Sequence, residues 1–313
     1  SYNKLYSNET VDIWNLEKKE NDKVFSQNSL DENTSLQKSI YDKIQNKDNL
    51  ELPILDSDQI ENNVLLAGLY DPQENNLNID MWSNSDGEKI RLLLNKINNL
   101  NLSDDANNIL EIVLLTNSYF PKENIKSDEF LKFKFNYLIK KKNLQLIKEF
   151  IISNNELNND MLITYYVNEY LSNSDLASAC QIFDESNTIQ SDYLSKFKIY
   201  CLIHSKKREE AQLLFDLKKE LGFKDNFFEK KFNILMGYDL NNDNLFSEKS
   251  ILDFHISHAT GESFTYRPND KTKKIIWRYL SSSNLLDDIE NVNLDDIEKI
   301  KIIEKATHNN NYS

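Results

Sequence analysis

Along most of this chain the apolar positions return at intervals of three or four residues, the spacing of a helical stripe rather than the alternation of a strand. Leu36 to Ile44 predicts a first helix. Ile60 to Tyr70, with Val64, Leu65, Leu66 and Leu69, predicts a second that stops at Asp71-Pro72, because the residue before a proline disfavours helical backbone. Ser83 or Ser85 can cap a helix through Ile90, Leu92, Leu93, Leu94 and Ile97. Ser103-Asp104-Asp105 opens another through Ile109, Leu110, Val113 and Leu115, which must end before Pro121.

From about residue 128 the pattern repeats every 32 residues. Phe130, Leu162 and Leu194 fall in register, as do Phe133, Tyr165 and Phe197, then Phe135, Val167 and Ile199. Leu138, Tyr170 and Leu202 follow, beside Ile139, Leu171 and Ile203. After a polar turn the register resumes with Ile147, Ala179 and Ala211, with Phe150, Ile182 and Leu214, and with Ile151, Phe183 and Phe215. Each copy reads as helix A, a tight turn at Lys142-Asn143, Ser174-Asp175 or Lys207-Arg208, and helix B. No copy can bury its stripe alone, so neighbours must stack, which predicts an all-α chain built as an α-solenoid of antiparallel hairpins.

Helix pairs continue beyond the register. Phe227 to Leu235 forms another A-type helix, and Ser247 can cap a B-type helix through Ile251, Leu252, Phe254 and Ile256, with Gly261 as its stop. Lys273 to Leu280 and Leu294 to Ala306 supply two more. The organisation expected is a flexible polar arm over 1–34, a helical region over 35–127, the repeat block over 128–223 and further helices over 224–313. The arm is too poor in apolar residues to offset its ordering entropy.

The columns resemble the tetratricopeptide repeat. A small residue followed four positions later by an aromatic, as in Ala179 and Phe183 or Ala211 and Phe215, matches that family's second helix, and Tyr170 stands where its first helix carries Tyr. The sequence departs from the family at Phe135, Val167 and Ile199, where a Gly is usual, in lacking the closing Pro, and in a period two residues short. The resemblance implies a scaffold that binds a protein or peptide, with contacts on the A helices between core columns: Lys134, Asn136, Tyr166, Asn168, Lys198 and Tyr200. The stretches KKIIWRYLSSSNLL and IEKATHNNNYS also resemble a family of exported alphaproteobacterial proteins, which implies a periplasmic or otherwise exported location; the cytoplasm is the alternative.

Composition narrows the chemistry. Five Gly and four Pro in 313 residues argue against turn-dense β folds and against Gly-rich phosphate loops. The net charge of −14 argues against a general nucleic-acid surface. Between Asp128 and Tyr238 sixteen basic and sixteen acidic residues balance, so the flanks carry the whole negative charge. No apolar run approaches the roughly 18 residues of a membrane span. A start at Ser1 and an end at His308–Ser313 suggest a processed or cropped polypeptide.

Catalytic and metal signals are weak. His255 and His258 share a helical face at i, i+3, yet no third ligand accompanies them, and they read as two unrelated histidines. Asp239, Asn241 and Asp243 imitate half of a calcium loop that fails at Asn244 and Ser250, where Gly and Glu are required. Lys140-Lys141-Lys142 and Lys206-Lys207-Arg208 occupy equivalent turns and read as solvated cations along one edge, an edge that could receive an acidic partner. Tyr266, Arg267, Lys271, Lys273, Lys274, Trp277, Arg278 and Tyr279 have the composition of an anion-binding surface, but read more simply as a helix stripe with cations around it. Cys180 and Cys201 fall opposite each other on adjacent helices; a disulfide is geometrically open, and two buried thiols are the simpler expectation. The chain is therefore expected to be a binding scaffold with no catalysis, metal or cofactor of its own. The alternative is the non-catalytic superhelical part of a cell-wall-acting enzyme whose active domain lies elsewhere.

Overall fold

The computed structural model describes residues 65–186, 189–239, 245–261, 264–269 and 271–286, together with positions 297, 300, 301 and 304. All of them belong to one compact unit, residues 62–313. The polar arm and the Leu36–Ile44 helix lie outside the described residues, as does most of Leu294–Ala306, whose four described positions are helical. The protein is all-α: eleven helices among the described residues accompany a single two-stranded sheet.

The 32-residue register governs the turns as well as the core. Helices α3 (Ser127–Lys141) and α4 (Leu144–Ser153), α5 (Asp160–Ser172) and α6 (Leu176–Glu185), and α7 (Asp192–His204) and α8 (Arg208–Glu220) form three hairpins. Their turns place Lys142, Ser174 and Lys206 in the left-handed region, at φ of 55°, 60° and 63°. In each, that residue's N–H donates to the carbonyl three residues back, Ile139, Leu171 or Ile203, so the end of helix A is satisfied as in a left-handed helix cap. Asn143 and Asp175 then cap helix B by accepting from Leu146 N and Ser178 N; Lys207, at the same register position, cannot. Every one of the register columns is buried or half-buried. Ala179 and Ala211 have no exposed surface, and the lack of a longer side chain there permits close helix approach.

Further helices are α1 (Gly87–Asn98), α2 (Asp104–Leu115), α9 (Asn226–Met236), α10 (Ile251–Thr260) and α11 (Lys274–Ser282). Helix α10 packs on α5 and α9, and α11 on α5 and α10, so the C-terminal helices return to an A helix of the repeat rather than only extending the row. Phe254, Ile276, Trp277, Tyr279 and Leu280 are buried there to 1% exposure or less.

Several expectations need correction. Ile60–Tyr70 is not a helix over its described part: β1 (Leu66–Ala67) pairs antiparallel with β2 (Ser118–Tyr119). The reason is nonlocal. Buried Asn154 accepts from Gly68 N and donates to Gly68 O, mimicking a further strand, and a Cβ on Gly68 would stand 2.3 Å from the Asn117 backbone. The cap of α1 is Asp86 rather than Ser83 or Ser85, and that of α10 is Ser250 rather than Ser247. Cys180 and Cys201 are not free thiols but a disulfide joining α6 to α7.

Candidate functional site

The six candidate contact residues have divergent fates. Lys134 is fully buried. Its ammonium donates to Ala67 O at 3.0 Å and Leu114 O at 2.7 Å, and lies over the rings of Phe120 and Phe130. It ties β1 to the carbonyl end of α2, where a cation suits the helix dipole, and desolvation lowers its pKa to about 7. Tyr166 and Tyr200 are buried as well, at 2% and 5% exposure. These three are therefore corrected from surface contacts to core residues, because other elements cover the A helices there. Asn168 is half-buried and accepts from Tyr193 Oη. Asn136 is exposed, and Lys198 is half-exposed.

Over α5 and α7 the C-terminal pair supplies cover, through a polar seam. Lys196 of α7 bonds Asp225 at 2.8 Å and buried Asp253 of α10 at 3.0 Å. Burial pushes the Asp225 carboxyl up, but the bonds from Lys196 and the Phe228 N–H, with the charges of Lys196 and Lys249, together leave its pKa below the ordinary value. Arg278 of α11 pairs with Glu169 of α5 and reaches Ser172. Tyr200 Oη stands 3.0 Å from His255 Nε2, and Tyr279 Oη stands 2.8 Å from Nδ1 of both His255 and His258. The two histidines are thus not unrelated: one phenol bridges them. A neutral imidazole has one N–H and one lone pair, so one tyrosine donates to His255 while the other accepts from it. Burial, with smaller effects of His258 and His204, lowers the His255 pKa to about 4. This is a structural network across α7, α10 and α11. Among the described residues no cluster of three metal-type ligands occurs. Of the calcium-like run only Asp239 is described.

The two basic turns are not alike. Lys140 donates to Asn98 O, and Lys141 pairs with Glu111. Lys206, Lys207 and Arg208 are exposed and form no ion pair among the described residues. The C-terminal basic and aromatic group is distributed into the fold: Trp277 and Tyr279 are core, Arg278 is paired, and Lys273 donates to the carbonyls of Glu248 and Lys249.

Beside the third turn lies an open groove of about 500 Å³. Cys180, Gln181 and Asp184 of α6 form one wall, and Lys198, Cys201 and His204 of α7 the other, with Lys207 at the end. The Cα atoms of the two cysteines are 5.5 Å apart, so the disulfide fixes the spacing between the walls. Of the six candidates, only Lys198 lines this groove. Sequence reasoning missed Gln181, Asp184 and His204 because they lie outside the core columns; their pairing across α6 and α7 follows only from the fold. Compared with protein-family models, curated proteins and solved structures, the chain finds no match.

Proposed function

We propose that this chain is a helical-repeat scaffold whose three hairpins stack as an α-solenoid and hold a protein or peptide partner, with no catalysis of its own. The observation that carries the reading is the 32-residue register, kept in core columns, left-handed turn residues and the starts of the B helices alike. Stacked hairpins of this kind present extended surfaces whose ligand is set by exposed side chains rather than by the fold. The resemblance to tetratricopeptide repeats supports a polypeptide as that ligand. With the A-helix face between α5 and α7 covered by α10 and α11, the surface offered moves to the open groove and the turn edge. The Cys180–Cys201 disulfide supports an oxidising compartment, in keeping with export to a bacterial envelope.

The test is affinity capture by the full-length protein from its native host, followed by reconstitution of the complex from purified components. A stoichiometric complex with one polypeptide is expected. Turnover of a cell-wall substrate by the isolated chain, with no polypeptide bound, would overturn the reading.

A further inference from the structure

The groove between α6 and α7 is more specific than the scaffold on which it lies, and its role as a binding site rests on the scaffold reading. Its walls carry two ammonium groups, Lys198 and Lys207, that form no ion pair among the described residues, and one carboxylate, Asp184. Lys206 and Arg208 extend the positive edge past its mouth, also without ion pairs among the described residues. Of the neighbouring carboxylates, Glu185 pairs with Lys148, Asp192 pairs with Lys218 and Asp175 caps the N-terminus of α6, while Glu209 and Glu210, exposed at the start of α8, do not line the groove. Within a repeat block whose charges balance, the groove walls thus hold one more cation than carboxylate, a local positive excess open to solvent.

We infer that this groove docks an acidic, extended peptide segment of the partner, and that the Cys180–Cys201 disulfide holds it in its binding-competent shape. Cations along one edge match carboxylates on the peptide, His204 offers a further polar contact, and Asp184 on the opposite wall selects against a segment that is acidic on both sides. The volume suits a few side chains rather than a folded domain. The disulfide acts by pre-organisation. It spans the two walls, so α6 and α7 do not have to be brought together when the peptide binds, and less of the interaction is lost to ordering. Reduction removes that constraint and leaves the charges in place.

The experiment uses the full chain and two fluorescent probes of equal length, one Glu/Asp-rich and one with those positions as Gln/Asn, followed by anisotropy. The acidic probe is expected to bind with an affinity that falls as salt rises, and the neutral probe at least tenfold more weakly. The double variant Lys198→Glu, Lys207→Glu should weaken the acidic probe by tenfold or more. Lys142→Glu, an exposed charge reversal in the first hairpin turn, should leave it unchanged. Cys180→Ser with Cys201→Ser should weaken it severalfold while the far-ultraviolet circular dichroism stays helical. Equal affinity for both probes, or equal losses in the groove and Lys142 variants, would overturn the inference. If a captured partner binds the double variant as tightly as the wild type, the groove assignment fails and the scaffold reading stands.

Discussion

Lys134, Tyr166 and Lys198 occupy one register position in three successive copies, and Asn136, Asn168 and Tyr200 occupy another. Burial runs in opposite directions along the two rows. Lys134 is enclosed by β1 and α2 at one end of the block while Lys198 opens onto the groove; Asn136 is exposed while Tyr200 is bound to His255. Register fixes which side of a helix a residue occupies, and the neighbouring element decides whether that side is wet. Lys134 gives a prediction with a definite sign. Its pKa is about 7 in the folded protein, below the ordinary lysine value of 10.5, so between these limits the unfolded chain binds more protons. Stability relative to Lys134→Met should therefore rise with pH from about 7 to about 10.5. Urea titrations of both proteins across that range check it, and a flat or falling difference would show that the ammonium is not desolvated.

At the scale of elements, the hairpins were legible because their signals are local: apolar spacing, polar turns, and Ser103, Asn143 or Asp175 in capping positions. The β1–β2 pair was not legible, since Gly68 gains its partners from Asn154, 86 residues away. The covering of the A helices leaves a trace in the sequence itself. Helix α7 buries Leu194, Phe197, Ile199, Tyr200, Cys201 and Ile203 together with Ser195 and Lys196, so its apolar residues do not keep to one stripe, which is the mark of a helix packed on several sides. The groove was half legible, through Lys198 and the third basic turn; its α6 wall was not. The small residues of the B helices carry the prediction at this scale. Ala179→Leu should destabilise by about 1–3 kcal/mol, as overpacking of a filled core does. Leu213→Ala, at a side chain 72% exposed on α8, should stay within about 0.5 kcal/mol. Denaturant midpoints of the two variants separate these outcomes.

For the molecule as a whole, the decisive feature is that α10 and α11 are part of the same core as the repeat. They contribute fully buried Phe254, Ile276 and Leu280, and they are joined to α5 and α7 by the Lys196–Asp253 and Arg278–Glu169 pairs and the His255 network. A lid that opened to admit a partner would have to break a buried charge pair and expose that apolar surface together, a cost of several kcal/mol. A surface for the proposed partner would therefore lie outside this seam. Native-state hydrogen exchange on the isolated protein measures this directly. The amides of Leu252–Ile256 and Ile276–Leu280 should exchange as slowly as those of α5 and α7, and respond to denaturant with the same steep slope, as members of one cooperative unit. Exchange of α10 and α11 through a shallow, low-energy opening, with α5 and α7 still protected, would contradict it and return the A-helix face to the partner.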